Sequence, residues 1–460
     1  MKLLCYTRPW NEANFARISR EAFPDAEIEY VSDFLGQGTV QLQEEFYIFY
    51  SKCEGFTQLL SQVGHLKIKD ICSRCRLLRN IPKEQATRMC AAMWLALQTV
   101  LDQVNPDVIL STTIDSYCLD LLHLACQLRE IKFIGIIPCF INGYFRVTSR
   151  GEYNYLRAVS DTEIEKSIAF LEKSNYTPDF LVGLKPESSF DALFKGVQKQ
   201  SRNIARFLYY SFTRTIRQDP LSLHTYSSYV IARQNLNFYS FSQLKYVDLS
   251  HVEVSKYHRQ KKIFIPLQYF PECTVDYWCE SIEYIDYYNT LFALLDVLSS
   301  LDFVIYVKEH PAFCGLRPYH FYSKLKTYQN IINLSPNIAA RQAISFCDVV
   351  LVWTGSVGFE AAFKGTPVIH LGNPYYISGK NFYYLDSIGK LSDILAQIDT
   401  KFTKDPESSY KEKRELLSHV LSGCLSGNIS PIINGSVDSH SSEVDHSIQS
   451  IRELRDIYDL

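Results

Sequence analysis

Thr354-Gly355-Ser356-Val357-Gly358 follows an apolar run from Val349 to Trp353 and leads into Phe359-Glu360-Ala361-Ala362-Phe363-Lys364-Gly365-Thr366-Pro367-Val368-Ile369. The order reads as strand, small-residue loop, short helix, glycine stop and strand. Threonine, glycine and serine at a helix start present free backbone N–H groups, hydroxyl donors and the positive end of the helix dipole. That chemistry seats a phosphate. Glu360, in the first turns of the helix, either serves the helix dipole or accepts from two ribose hydroxyls, which a phosphate-only site would not require. The loop has neither the GxxxxGK[ST] of a P-loop nor the GxGxxG of a dinucleotide fold, which argues against ATPase and dehydrogenase chemistry.

A second group stands at Lys308-Glu309-His310-Pro311, delivered by the apolar segment Val304 to Val307. Pro311 cannot continue a ladder, so the chain turns there and presents the residues before it at the strand's carboxyl end, where α/β folds hold ligands. A histidine there donates a hydrogen bond to a leaving phosphate oxygen or acts as a general acid. A third group, Pro266-Leu267-Gln268-Tyr269-Phe270-Pro271-Glu272, also follows a strand-like run, with Gln268 and Glu272 as partners for sugar hydroxyls or a base edge. Asp115 ends another strand and loop, placed as a catalytic carboxylate or as a helix N-cap. Arg146 suits an acidic sugar or an acceptor phosphate.

These groups need parallel sheets to carry them. Strand-like and helix-like segments alternate from the start: Lys2 to Thr7, Asn11 to Ala22, Ala26 to Val31, and, after a helix Lys83 to Val104, the βαβ unit Asp107 to Pro138. This is the pattern of a parallel sheet covered by helices. A second series opens at Lys262 to Leu267, continues through a helix Ser281 to Ser300 and the strand Phe303 to Val307, and ends after the small-residue loop. The expected division is an N-terminal unit over 1–160, a helical linking segment over 161–257, a second unit over 258–400, and a tail over 401–460 that is partly loose with a terminal helix.

The 460 residues are 47% hydrophobic, enough for large cores, and 47 basic against 50 acidic residues give a net charge of -3. No global field points to nucleic acid. The start is too quickly polar for a signal peptide, and no uninterrupted apolar stretch reaches about 18 residues, so the chain is expected in the cytoplasm. Thirteen cysteines scattered among apolar residues fit reduced core thiols. Cys72-Ser73-Arg74-Cys75 has no second pair at zinc spacing and reads as helix surface.

Taken together, the PLQY-x-PE loop at Pro266 to Glu272, the YVKEHP strand end at Tyr306 to Pro311, TGSVGFEA at Thr354 to Ala361 and GTPVI at Gly365 to Ile369 resemble the capsular polysaccharide biosynthesis glycosyltransferases, which include bacterial transferases of β-linked Kdo. The resemblance covers Lys262 to Gln397 well and the N-terminal half more loosely, through Asp107 to Pro138 and Gly143 to Glu152. It implies a GT-B enzyme: two Rossmann-like domains facing across a cleft, the C-terminal one holding a nucleotide-sugar donor. It further implies that His310 contacts the donor phosphate, that Thr354, Gly355 and Ser356 cradle it, and that Glu360 holds the ribose. A CMP-sugar such as CMP-Kdo is the leading donor. No catalytic carboxylate is carried over from the family.

The expected site is therefore His310, Asp115 and Glu309 for catalysis; Lys308, His310, Thr354, Gly355, Ser356, Val357, Gly358 and Glu360 for the nucleotide; and Gln268, Glu272 and Arg146 for sugar or acceptor. No acidic triplet ends an apolar strand, so no metal is expected, and no cofactor beyond the nucleotide-sugar substrate. The other partner is a glycan or glycolipid acceptor. Lys195, Lys199, Arg202 and Arg206 recur every three or four residues, either as a solvated face or as a contact with the cytoplasmic face of the inner membrane. A nucleotide-sugar epimerase and a non-catalytic capsule-export protein are the alternative readings.

Overall fold

The computed structural model describes residues 1–173, 176, 178, 189–217, 233, 260–313, 316–318, 320–336, 338–401, 406–436 and 440–459. Two six-stranded sheets organise them. The first contains β1 (Lys2–Tyr6), β2 (Glu27–Val31), β3 (Val108–Thr112), β4 (Lys132–Pro138), β5 (Tyr144–Val147) and, from the far end of the chain, β12 (Cys424–Ser426), in the order β12-β5-β4-β3-β1-β2. The second contains β6 (Lys261–Pro266), β7 (Phe303–Lys308), β8 (Ile331–Leu334), β9 (Val349–Val352), β10 (Val368–His370) and β11 (Phe382–Tyr384), in the order β11-β10-β9-β6-β7-β8.

All pairs in the second sheet are parallel, and so are β2-β1-β3-β4 in the first. Every residue of β7 and β9 is buried. Such continuous apolar runs are what parallel strands need when helices cover both faces. These are two Rossmann-like units. The helix Lys83–Val104 has the expected bounds, whereas the single helix expected over Ser281 to Ser300 is a 3-10 turn, Ile282–Ile285, followed by a helix Tyr287–Ser299. Asp286, at φ -75° and ψ 73°, leaves the helical region and separates them.

The expected loose tail is corrected. Cys424 to Ser426 pair antiparallel with Arg146 to Tyr144 and extend the first sheet. Leu425, Ile429, Ile432, Val444, Ile448, Ile451 and Leu454 are buried with Phe15, Ile18 and the strands of that sheet. The first three lie in a stretch whose serines, glycines and asparagines suggest a loop, and the other four recur at helical spacing where a terminal helix was expected. The N-terminal unit is thus built from both ends of the chain. Of the linking segment expected over 161–257, the helices Asp161–Leu171 and Ser189–Arg217 are described, and 174, 175, 177, 179–188, 218–232 and 234–257 lie outside the described residues.

The units meet at the carboxyl ends of their strands. Phe140, just after β4, packs on Phe359 at 4.3 Å and on Tyr375 at 5.4 Å between ring centroids. Below this aromatic contact, Asp276 of the C-terminal unit is wholly buried and accepts from Arg76 at 2.8 Å and Arg79 at 2.7 Å. Arg74 adds bonds to the carbonyls of Asp276, Cys279 and Glu280. Arg74 lies in the expected helix-surface CxxC segment, where Cys75 is in fact buried and Cys72 half-buried 3.7 Å from Cys90. That segment faces inward because its arginine serves the seam.

Candidate donor site at the second sheet

Strands β9, β6 and β7 are adjacent and parallel, so the loops after them emerge side by side on one sheet edge. The three sequence groups are brought together there. After β9, Gly355 is the N-cap of the helix Ser356–Phe363, whose first N–H groups, at Ser356 and Val357, have no partner within the helix. A Cβ at Gly355 would stand 2.9 Å from the Gln268 side-chain amide, so the glycine lets the β6 loop close over the helix start. Gly358 serves packing instead. A Cβ there would stand 2.6 Å from the Tyr376 hydroxyl, which donates to the Gly355 carbonyl at 2.7 Å.

Thr354 is placed differently from expectation. Its hydroxyl is buried and donates to the Thr274 carbonyl at 2.8 Å, so it ties the β9 loop to the short helix Cys273–Asp276 and is spent before any phosphate arrives. Ser356 keeps the half-exposed position that a cradle requires. Glu360, one turn further along, faces Arg341 at 3.6 Å with both side chains mostly covered.

At the end of β7 the expected catalytic role of Glu309 is corrected. Its carboxylate is buried and accepts from Arg317 at 2.9 Å and 2.7 Å, from the His310 backbone N–H at 2.6 Å, and from the Tyr322 hydroxyl. A carboxylate with both oxygens occupied in this way neither attacks nor takes a proton. It is a strut, and it fixes the peptide that carries His310. Lys308 is buried too, its ammonium 3.4 Å from the Glu309 carbonyl.

His310 itself is half-buried, edge-on to Tyr269 at 5.6 Å. Its Nδ1 accepts from the Ala312 N–H at 3.2 Å, which leaves the proton on Nε2. Burial, reinforced by Arg317, Lys308 and Lys199, pulls its pKa down to about 3. His310 is therefore a neutral N–H donor at neutral pH, and of the two roles its sequence context allowed, hydrogen-bond donation is the one the surroundings support.

His370, at the end of β10, is pulled down to about 4 by burial. These two shifts set a stability profile. Below the ordinary value near 6.5 the unfolded chain takes up protons that the folded chain refuses, so stability falls as pH drops from about 6.5 toward 4. For a fully buried neutral imidazole the slope reaches about 1.4 kcal/mol per pH unit. A His370→Gln variant is expected to lose less stability than the parent between pH 7.5 and 5.0 in urea denaturation, and an equal loss would contradict it.

Across the seam, Asp115 accepts from both terminal guanidinium nitrogens of Arg8 at 2.6 Å, and Ser116, not Asp115, caps the following helix. Burial pushes the Cys273 thiol up, with Asp115 raising it further and Arg76 opposing, so the loops after β3 and β6 are neighbours across the seam. Glu272 is half-buried there, accepting from Thr274 at 2.9 Å, and burial pushes its carboxyl above the ordinary range. Arg146 is corrected. It is fully buried on β5, stacked 3.5 Å from the Tyr375 ring centre and bonded to the Val420 carbonyl, out of reach of any sugar.

Residues 199–379 match the family model for capsule polysaccharide biosynthesis proteins. That match takes in 181 of the 460 residues. Among solved structures, the β-Kdo 2,7 transferase of Thermosulfurimonas dismutans KpsC is similar at 12% identity over 99% of this chain and 100% of that one, with a TM-score of 0.38. The β-Kdo 2,4 transferase of the same protein aligns at 12% identity over 75% and 87%, with a TM-score of 0.36. The UDP-GlcNAc 2-epimerase of Methanocaldococcus jannaschii aligns at 12% over 92% and 99%, with a TM-score of 0.29. No curated protein sequence matches the chain.

The matched residues take in all three loops of the candidate site. The arginines around it were missed in the sequence. Arg8 follows β1 as Asp115 follows β3, so the strand-end rule that selected Asp115 also selects its partner. Arg317 stands eight residues beyond Glu309 in no motif; a buried glutamate's need for a cation is the signal that points to it.

Proposed function

We propose that the protein is a glycosyltransferase that moves a sugar from a nucleotide donor, CMP-Kdo or another CMP-sugar in the leading case, onto a capsular or surface glycan or its lipid-linked acceptor. The observation that carries this reading is the convergence of three loops on one edge of the second sheet. There the neutral His310, after β7, and the start of the helix Ser356–Phe363, after β9, flank the end of β6, whose loop carries Gln268 between them. Nε2–H of His310 and the N–H groups of Ser356 and Val357 donate to the diphosphate or phosphodiester oxygens, and Glu360 takes the ribose. Such donors are fixed before the bond breaks, so they stabilise the charge that develops on the departing nucleotide without reorganising. Glu272 is the carboxylate available to the reacting sugar and the acceptor hydroxyl; Asp115, across the seam, is partly open to solvent but paired through both oxygens with Arg8.

The test is thermal denaturation with CMP, UDP, GDP and ADP. One nucleotide is expected to stabilise the protein, by about 2.7 kcal/mol at a hundredfold excess over Kd. His310→Ala is expected to weaken that nucleotide about tenfold while leaving the unliganded melting temperature nearly unchanged. Indifference to all four nucleotides would refute the donor site. Nucleotide release that requires an acceptor glycan distinguishes transfer from epimerisation.

A further inference from the structure

The helix Ser189–Arg217 carries a feature that donor binding does not use. Phe194, Leu208, Tyr209, Phe212 and Ile216 are each 60% or more exposed, and Val197 and Ile204 are open as well. Spacings of 3, 7, 4, 4 and 4 put Phe194, Val197, Ile204, Leu208, Phe212 and Ile216 on one face at about 100° per residue. The opposite face turns inward through Gly196, Gln200 and Asn203. Soluble surfaces seldom leave a contiguous apolar stripe of this length open; from Phe194 to Ile216 it runs about 33 Å at 1.5 Å per residue.

Lys195, Lys199, Arg202 and Arg206 run along one border of that stripe, with Arg202 and Arg206 exposed. Between residues 189 and 217 the sequence has six basic residues and one acidic one, in a chain whose net charge is -3. Lys199 donates to the carbonyl of Ala312, two residues beyond His310, so this border is fastened to the donor edge.

We propose that this face docks the protein on an anionic lipid bilayer, the helix lying in the headgroup plane with its apolar side chains at the acyl boundary and its basic border against lipid phosphates. Aromatic and aliphatic side chains on one side and arginines at the edge are the composition of an interfacial helix. No described helix is long and apolar enough to cross a membrane, so the contact is with the surface. A second copy of the chain fits the face less well, because a symmetric contact would bring two identical basic borders together. This inference goes beyond the donor reading and does not depend on it.

The test is co-sedimentation of the full chain with vesicles of phosphatidylcholine alone or with about a third phosphatidylglycerol, a content chosen to give a strongly anionic surface. Expected is binding to the anionic vesicles that weakens at least tenfold in Leu208→Asp/Phe212→Asp, and that falls both in R202E/R206E and at high salt. Nucleotide stabilisation should be unchanged in Leu208→Asp/Phe212→Asp, which shows that the variant is folded and separates this proposal from the donor site. No binding to anionic vesicles, or binding indifferent to these substitutions, overturns it. So does a concentration-dependent dimer in sedimentation velocity that Phe212→Asp abolishes, or a Phe212→Cys thiol shielded from maleimide without vesicles.

Discussion

Asp276→Ala is expected to cost about 3 kcal/mol, a figure at the low end for removing one partner of a buried ion pair. The carboxylate is wholly buried, while Arg76 and Arg79 each keep roughly a fifth of their side chains in contact with solvent. Loss of the aspartate leaves two guanidinium groups in a seam with no other carboxylate bonded to them among the described residues, and their partial exposure is what keeps the cost from rising further. Arg79→Ala removes one of two cations and should cost far less, because Arg76 still neutralises Asp276. The pair of variants is therefore diagnostic when measured by urea denaturation. Near-equal effects would mean that the seam is held by the backbone bonds of Arg74 and not by the Asp276 charge. Since Asp276 closes the short helix whose Thr274 carbonyl receives Thr354, Asp276→Ala should also loosen the β9 loop and weaken nucleotide binding in protein that remains folded.

The donor edge was legible in the sequence because each of its loops ends an apolar strand, and parallel topology turns three such ends toward one place. Ser356, His310 and Gln268 needed only that rule. Sequence reasoning failed where a side chain's role depends on what covers it from far along the chain. Arg146 suits an acidic sugar or an acceptor phosphate by its charge alone; β12, nearly 280 residues later, and Tyr375 bury it instead. Glu309 beside Lys308 and His310 looked like chemistry, and nothing local disclosed that Arg317 and Tyr322 would occupy both of its oxygens. The tail misled for the converse reason. Its polar composition masked three apolar positions, Leu425, Ile429 and Ile432, that only the first sheet, formed hundreds of residues earlier, could bury.

Arg317→Met should be the most damaging substitution at the donor edge, at about 3–5 kcal/mol. The guanidinium is fully buried, 4.6 Å from the Phe313 ring centre and 5.4 Å from that of Phe321, and it spans Glu309 and the Gln268 carbonyl. Most of the cost is the carboxylate left behind, because an uncompensated charge in this apolar setting loses more than the pair itself contributes. Removing that charge as well should therefore recover stability, so Glu309→Leu/Arg317→Met is expected to be more stable than Arg317→Met alone by at least about 1 kcal/mol. Recovery will be incomplete, since Tyr322 and the His310 N–H lose their acceptor. Nucleotide stabilisation should not return with it. The strut that sets the His310 peptide is gone in the double variant, and a neutral imidazole donates well only from a fixed position. A double variant that regained both stability and nucleotide binding would show that His310 is positioned by its own ring contacts, through Ala312 and Tyr269, and that Glu309 and Arg317 serve the core alone.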